Sequence, residues 1–315
     1  MSELDITGLS NIKISVHTDA DGIYSGVLLS YAIEVETVLF PERFGDTVIG
    51  DSIPDIILDQ VPVDSNYTGI VIDHHPHHPR ERRYRLIYDT VPTGLIVYNI
   101  LKDRIPERHR WKVVGSLVGD GQPELIPVEI WRQYPILLEE VGSIVDRRDL
   151  IFYRSPVWSL LSSPVNSACR CNMEDVAFKI VRDARDPYDI IFDPALQACK
   201  KRVEEEMSRI IKQFKPIDLG YYIYWEFDSE LKLTGYLASR AESIYKKTAI
   251  VVNRKRKILS IRGVLSDLLK EYLSSKYSIG GHSGYSGGYL REDQDTRILL
   301  EDLRELQYKI RRGDI

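Results

Sequence analysis

Hydrophobic positions fall into two textures along the chain. Residues 11–16 (Asn-Ile-Lys-Ile-Ser-Val) alternate and predict a strand, after which Ile23, Val27, Leu28 and Ala32 recur at helical spacing. Residues 36–40, 55–59 and 67–72 predict three further strands, and residues 93–101 a helix with an apolar face suited to packing on a sheet. Residues 112–118 form another apolar segment, running into Gly119-Asp120-Gly121. Strands alternating with helices predict a largely parallel sheet. The pattern then turns helical from Trp131 to Val145 and is broken by Ser163-Pro164-Val165-Asn166. Residues 194–214 predict one long helix, with Leu196, Cys199, Val203, Met207, Ile210 and Ile211 on its apolar side. After Pro216 the texture changes to short alternating strands (220–225, 248–253, 257–262), with a helix over 235–245 and another closing the chain over 294–310. Arg254-Lys255-Arg256-Lys257 falls at a hairpin tip, where a solvated turn is the default and a phosphate contact the sharper alternative. Residues 280–288 hold five glycines in nine positions and are expected to form neither a helix nor a strand interior. The expected fold class is α/β: an N-terminal parallel-sheet domain over 1–190, a connector helix over 191–215, and a smaller α/β domain over 216–315.

Composition narrows the partners. At 315 residues, 43% hydrophobic and 28% charged, the chain is ordinary for a globular protein and long enough for two cores. A net charge of -5 gives no global attraction to nucleic acid, so such a partner needs a local basic surface. No apolar run reaches the roughly 18 residues that would span a membrane. The start of the chain lacks a basic-then-apolar signal, and three cysteines are too few for a disulfide framework, so a reducing, cytoplasmic location is expected. Cys169 and Cys171 stand two apart without a matching pair, which favours small packed side chains over a zinc site.

The chemistry concentrates at the ends of apolar runs. Four of the seven histidines fall within residues 71–79, where Asp73, His74, His75, His77 and His78 follow the apolar run 69–72. Open α/β sheets bind their ligands at the carboxyl ends of the strands. Four segments end this way: His17/Asp19/Asp21, Asp59, Asp73/His74/His75 and Asp120. In an extended backbone, His17, Asp19 and Asp21 would share one face. If the four segments meet, at least five carboxylates and two or three imidazoles crowd together with no local cation. Such anions repel unless metal neutralises them. Mixed carboxylate and imidazole ligands suit manganese, magnesium or a similar divalent ion, and enough are present for two ions sharing one carboxylate. A pair of this kind activates water and clamps a phosphoryl group. One aspartate at a strand end is usually a turn or a cap; the coincidence of four segments is what argues for metal. His77 and His78, between two prolines, are expected in an exposed loop beside the site, and His109, in a charged stretch, in solvent.

These segments resemble the motif set of the DHH phosphoesterase superfamily, named for the triplet found here as Asp73-His74-His75. His17-Thr18-Asp19-Ala20-Asp21-Gly22 resembles its first motif in the form seen in archaeal RecJ-like members. Asp59 is similar to the second and Asp120 to the fourth. Asn166-Ser167-Ala168-Cys169-Arg170 resembles the Asn-Ala-Ala-Gly-Arg segment of RecJ-type nucleases, with Cys169 in place of glycine. The second half resembles the DHH-associated domain at residues 235–240 (Gly-Tyr-Leu-Ala-Ser-Arg), at Ser260-Ile261-Arg262 and at residues 280–287, where Tyr285 and Ser286 replace alanines. The resemblance implies two divalent cations, manganese first, with magnesium or cobalt as alternatives. One ion would take His17, Asp19 and bridging Asp59; the other would take Asp21, Asp59, His74 and Asp120. Asp73 would orient an imidazole and His75 would face the scissile phosphate or leaving group. Arg262, His282, Gly280 and Gly281, with Arg170 and Arg240, would hold the substrate.

The implied activity is a metal-dependent exonuclease acting on single-stranded DNA or RNA and short oligonucleotides, admitted to a cleft between the two domains. The alternative within the same chemistry is a nanoRNase-like enzyme acting on short oligonucleotides, cyclic dinucleotides or small nucleotides of the pAp type. No counterpart of the oligonucleotide-binding domain of full bacterial RecJ is expected, which weakens the grip on long strands. From another class, a non-catalytic relative could serve as scaffold in a replication or repair complex; such relatives lose metal ligands, and here every motif position is filled. A replication or repair protein remains an expected accessory partner.

Overall fold

β1 (Ile12–Val16) sits inside a five-stranded sheet and is followed by α1 (Ala20–Ala32) and β2 (Val35–Leu39). β3 (Ile56–Leu58), β4 (Ile70–Asp73) and β5 (Arg85–Tyr88) complete the sheet in the order β2-β1-β3-β4-β5, all parallel. In β3 and β4 apolar residues are buried consecutively rather than alternately, as expected where helices cover both faces. The computed structural model describes residues 6, 8–76, 78–146, 151–282, 284–291 and 294–314. The chain divides into two units, Met1–Lys201 and Arg202–Ile315.

Around this sheet come α2 (Thr93–Leu101), α3 (Val113–Gly119) and α4 (Val128–Gln133), then a two-stranded antiparallel hairpin of β6 (Glu140–Asp146) and β7 (Ile151–Pro156). α5 (Ser162–Arg170), α6 (Glu174–Asp183), α7 (Pro187–Ile191) and α8 (Pro194–Gln213) follow, and the boundary between the units falls inside α8. α1 is buried nearly all round, packed by α2, α3 and α6. Tyr24 is its anchor: the ring lies against the backbone of Gly115, where any Cβ would collide with it, and its hydroxyl donates to the Leu161 carbonyl at 3.1 Å.

The second unit is built on a six-stranded sheet. In chain order its elements are β8 (Ile217–Asp218), β9 (Tyr222–Phe227), α9 (Thr234–Tyr245), β10 (Thr248–Asn253), β11 (Ile258–Arg262), α10 (Ser266–Ser274), β12 (Ser278–His282), β13 (Tyr285–Tyr289) and α11 (Thr296–Arg312). The sheet order is β12-β13-β11-β10-β9-β8, parallel only between β10 and β9. Tyr222, Tyr224, Ile250, Val252, Leu259 and Ile261 from the sheet pack with Leu269 and Leu273 of α10 and with Leu299, Leu303 and Leu306 of α11. No helix among the described residues is long and apolar enough to cross a membrane.

The structure corrects several expectations. The apolar segment 112–118 is helical, residues 131–145 end in the first strand of a hairpin, and Ser163 to Asn166 lie inside α5. The glycine-rich stretch is not a loop, because β12 and β13 carry it as an antiparallel pair with Gly280 opposite Gly287 and Ile279 opposite Gly288. Backbone ladder bonds offset the entropy of the glycines, and Gly288 stands so close to the Ser278 carbonyl that a side chain would not fit. His109 is buried, stacked flat on Tyr31 with ring centroids 4.1 Å apart. Its charged neighbours in sequence disguise a residue whose ring faces inward.

Candidate metal centre

Register brings the first ligands together. Val16 pairs with Leu58 and Leu58 with Ile72, so His17, Asp59 and Asp73 stand one residue further on at the same sheet edge. Backbone bonds continue across it, from His17 N–H to the Leu58 carbonyl (3.2 Å) and from Asp59 N–H to the Ile72 carbonyl (2.9 Å). The strand order 2-1-3-4-5 reverses direction between β1 and β3, where His17 and Asp59 emerge, and such a switch point opens a crevice for ligands. Asp59 adopts φ +62, a left-handed conformation that aspartate tolerates better than most residues.

Asp19 and Asp21 arrive by another route than the extended backbone expected. Asp19 is the N-cap of α1, its Oδ1 accepting from Gly22 N–H at 3.0 Å, and Asp21 lies in the first turn. Asp21 is buried beneath the edge. Its Oδ1 accepts from Gly94 N–H (3.0 Å), Ser116 Oγ (2.6 Å) and Ser25 Oγ (3.1 Å), and its Oδ2 from Thr93 N–H (2.8 Å). The start of α2 therefore fixes this carboxylate and leaves Oδ2 with the spare lone pair. Asp120 comes from a helix end, as the C-cap of α3.

Three donor sets result, each with its ligand atoms within 4.8 Å of one another: His17/Asp19/Asp59, Asp21/His74/Asp120 and Asp59/His74/His75. His74 Nε2 lies 3.1 Å from Asp120 Oδ2, 3.3 Å from Asp59 Oδ1 and 3.8 Å from Asp21 Oδ2. His17 Nδ1 is 3.0 Å from Asp19 Oδ2 and 3.4 Å from Asp59 Oδ2, yet it is buried and in hydrogen-bond geometry with neither. An imidazole nitrogen aimed between two carboxylates without bonding to them fits a ligand better than a structural hydrogen bond.

Electrostatics points the same way. Burial, then the charges of Asp21 and Asp19, push the Asp59 carboxyl well above its ordinary range. Burial, then Asp21, Asp59 and Asp19, push Asp120 up to about 9. For His17 burial pulls down, but Asp19 and Asp59 outweigh it and hold the imidazole well above its usual value. The cluster carries more negative charge than its own donors can satisfy, and a divalent cation is what such a donor set fits.

Asp73 differs, because its oxygens are occupied. Oδ1 takes His75 Nδ1 at 2.8 Å and His74 N–H at 2.9 Å, and Oδ2 takes His78 Nε2 at 3.0 Å. Against its burial, these hydrogen bonds from His75 and His78 hold its pKa near 2, so it is an acceptor and both imidazoles donate to it. His78 Nδ1 then accepts from Tyr84 Oη at 2.8 Å. The exposed loop expected around His78 is not found; its side chain is only 5% exposed, because the chain turns back to give the buried Asp73 its second donor. His77 lies outside the described residues.

The remaining predicted residues lie elsewhere. Asn166, on α5, accepts from Ala20 N–H at 2.8 Å and so braces the turn carrying Asp19 and Asp21; Arg170 is half-buried in the last turn of that helix. In the second unit the register Arg262–Tyr285–His282 runs across β11, β13 and β12. Arg262 donates from Nη1 to the Ile261 and Ser286 carbonyls (2.9 and 3.1 Å), and its guanidinium sits 5.0 Å over the Tyr285 ring. Its Nε is buried without a partner, and no carboxylate pairs with it among the described residues. Burial lowers its pKa. Nη2 points at α9, 3.3 Å from where a Cβ on Gly235 would stand, while Arg240 is exposed further along that helix. Gly280 and Gly281 lie on β12, Gly281 with φ +127.

Sequence patterns missed Phe44, Gln60, Thr93 and Ser116. Thr93 Oγ1 donates to Asp59 Oδ1 at 3.1 Å, and Phe44 sits edge-on against both His17 and His75. A Ser-Thr pair orienting two carboxylates has no local signature, since it depends on α2 and α3 meeting the sheet edge.

No protein-family model and no curated protein matches the chain. Solved structures do. An exonuclease RecJ bound to manganese superposes with a TM-score of 0.66 at 15% identity, covering 95% of this chain and 90% of that one. RecJ of Thermus thermophilus in complex with Mn2+ gives 0.66 at 14% identity, over 96% of this chain and 52% of that one. CDC45 from Entamoeba histolytica gives 0.53 at 11% identity, over 95% of each. This chain spans about half the length of the Thermus protein. The two-domain α/β fold is the one these proteins share.

Proposed function

We propose that the chain is a divalent-metal-dependent phosphoesterase of the DHH superfamily that hydrolyses phosphodiester bonds at the ends of single-stranded DNA or RNA and in short oligonucleotides. The observation that carries this is the convergence of three donor sets sharing Asp59 and His74 at the switch point of a parallel sheet. His17, Asp19 and Asp59 would hold one ion, and Asp21, Asp59, His74 and Asp120 the other, with manganese the preferred ion and magnesium or cobalt the alternatives. Two such ions, when bound, supply Lewis acidity toward a phosphoryl oxygen and lower the pKa of a water.

The chain's own residues do the positioning. Asp73 keeps the Nδ1 proton of His75 in place and so leaves Nε2 for the phosphate or the leaving group. Thr93, Gly94 and Ser116 fix Asp21 before any ion arrives. In the second unit Arg262, whose buried Nε has no partner, would take a terminal phosphate, with His282, Arg240 and the backbone of Gly280 and Gly281 as further candidates there, and Arg170 would be the substrate-binding candidate of the first unit. The second reading, a non-catalytic scaffold in a replication or repair complex, is disfavoured by the filled ligand set.

The test is one digestion series with manganese, magnesium and cobalt on 5′- and 3′-labelled DNA and RNA, from dinucleotide to long strand and as blunt duplex. Metal-dependent release of mononucleotides from single strands, with duplex left nearly untouched, is the expected outcome. No release with any ion would favour the scaffold.

A further inference from the structure

Phe44 stands beside the candidate metal centre in the connection between β2 and β3. Its ring meets His17 with centroids 5.1 Å apart at 87°, and His75 at 5.1 Å and 72°, while the two imidazoles lie 6.4 Å apart at 85°. In T-shaped contact with two groups of the site, Phe44 is still 42% exposed. Val63, 73% exposed, lies against Gly45.

The segment holding Phe44 is braced. Gly45 N–H donates to Gln60 Oε1 at 3.0 Å, Gln60 Nε2 donates to Ser15 Oγ on β1 at 3.0 Å, and Val63 N–H donates to the Gly45 carbonyl at 2.9 Å. Gln60 is fully buried and directly follows Asp59, so one strand end both delivers the candidate bridging carboxylate and fixes the Phe44 turn. Gly45 has φ +83, and a Cβ there would collide with the Val61 carbonyl, so the turn needs glycine. A half-exposed aromatic ring on a braced turn thus stands next to His75, beside the place a scissile phosphate would occupy. A nucleotide carries its base one sugar away from its phosphate, and base-on-aromatic stacking is tolerant of sequence because every base has a π-face.

Resting on the phosphoesterase reading, we infer that Phe44 is a positioning residue on which the nucleobase next to the scissile phosphate stacks. The stack would set KM and favour substrates bearing a base at the cleaved end, with little dependence on salt because no charge is involved. The test uses the full chain and a labelled trinucleotide, compared with its copy carrying abasic residues at the two terminal positions. Both are assayed for turnover with manganese and for binding by fluorescence anisotropy with calcium in its place. Phe44→Ala should raise KM and weaken binding for the base-bearing substrate about tenfold, within the roughly five- to 150-fold worth of one stack. Its kcat should be nearly unchanged and the abasic copy unaffected; Phe44→Trp should restore KM and Phe44→Leu should not. Equal effects on both substrates, no effect on either, or rescue by leucine would overturn the inference in favour of an apolar shield for the imidazoles. Wild-type protein that binds but cuts neither substrate with manganese, magnesium or cobalt would overturn the phosphoesterase reading instead, and the anisotropy of Phe44→Ala would still decide the stack.

Discussion

Asp59 and Lys112 are both buried, chargeable side chains of the first unit, and the fold treats them in opposite ways. Lys112 Nζ meets Tyr31 Oη (2.6 Å), the Arg182 carbonyl (3.0 Å) and the Ala184 carbonyl (2.9 Å), with His109 Nδ1 at 3.1 Å. Three oxygens for the three hydrogens of an ammonium make a cluster that closes on itself. Asp59 instead faces Asp19, Asp21 and Asp120, and its carboxyl is pushed up by burial and by the charges of Asp21 and Asp19. The second unit repeats the contrast. Asp302 is closed by Lys276 and by Tyr277 Oη (2.7 Å), whereas Arg262 keeps a buried Nε with no partner. Closed clusters hold a fold together, and open ones cost stability unless a ligand completes them. The pair of open sites, one short of cations and one short of an anion, suits a protein that binds metal and phosphate.

The largest effect should come from removing the shared ligand. Asp59→Asn is expected to lower kcat/KM with manganese at least about a thousandfold, since ions of this kind supply several kcal/mol of transition-state stabilisation. After chelation the same variant should melt above wild type, because one anion is gone and asparagine also tolerates positive φ. Near wild-type turnover, or a lower melting point in chelator, would close the gap between Asp59 and Lys112.

The surplus of negative charge also has a pH signature. Asp120 loses its proton near 3.8 when unfolded but only at about 9 when folded. Over that window the folded chain binds more protons, so this group's contribution makes stability fall as pH rises from 3.8 to about 9. The raised His17 acts with the same sign. Thermal melts in chelator should lose on the order of a few kcal/mol of stability between about pH 5 and 8. Saturating manganese should flatten the trend. A flat profile in chelator would mean that the edge is already satisfied.

What the sequence made legible follows from which forces are local. Four of the five strands of the parallel sheet and the helix Thr93–Leu101 announce themselves as alternating or apolar runs, β5 (Arg85–Tyr88) does not, and β1, β3 and β4 end where polar ligand-type residues begin. The hairpin of β6 and β7 and the pair β12 and β13 are held by cross-strand backbone bonds, which leave no period in a stretch as rich in glycine as 280–288. α5 carries Pro164 in its first turn, where proline is tolerated, so it marks a helix start rather than a break. Asp120 reads as the end of an apolar run and is a helix end; an aspartate after a glycine looks the same after a strand or a helix. His78 is hidden by its two flanking prolines, and Gln60 by being an ordinary residue after a conspicuous one. Tertiary geometry alone gives these two their partners.

A smaller effect is expected at the open site of the second unit. Arg262→Ala should raise the KM for oligonucleotides by about 10- to 150-fold, the equivalent of losing a charge-assisted phosphate contact of roughly 1.5–3 kcal/mol. Ion affinity by calorimetry should be unchanged, because no proposed ligand touches Arg262. If the variant lost an ion as well, the open guanidinium and the open carboxylates would not be independent.

The smallest effect on activity belongs to the closed cluster, and it sharpens the comparison most. Lys112→Met keeps the length of the side chain and strands the Arg182 and Ala184 carbonyls, so it should cost about 1–3 kcal/mol at about pH 7 while turnover stays at the wild-type level. Burial lowers the Lys112 pKa to about 7, with Asp183 and Asp189 opposing and Arg108 adding to the shift. Between about 7 and the unfolded value of 10.5, the unfolded chain therefore binds the extra proton, and this group makes stability rise with pH. Lys112→Met should remove that slope from denaturant midpoints measured at roughly pH 7, 8 and 9. The sign is opposite to that of the carboxylate edge, so the two clusters can be told apart within one titration of melting temperature. If Lys112→Met abolished turnover without loss of stability, the closed cluster would take part in the chemistry, and completeness of hydrogen bonding would cease to separate scaffold from site.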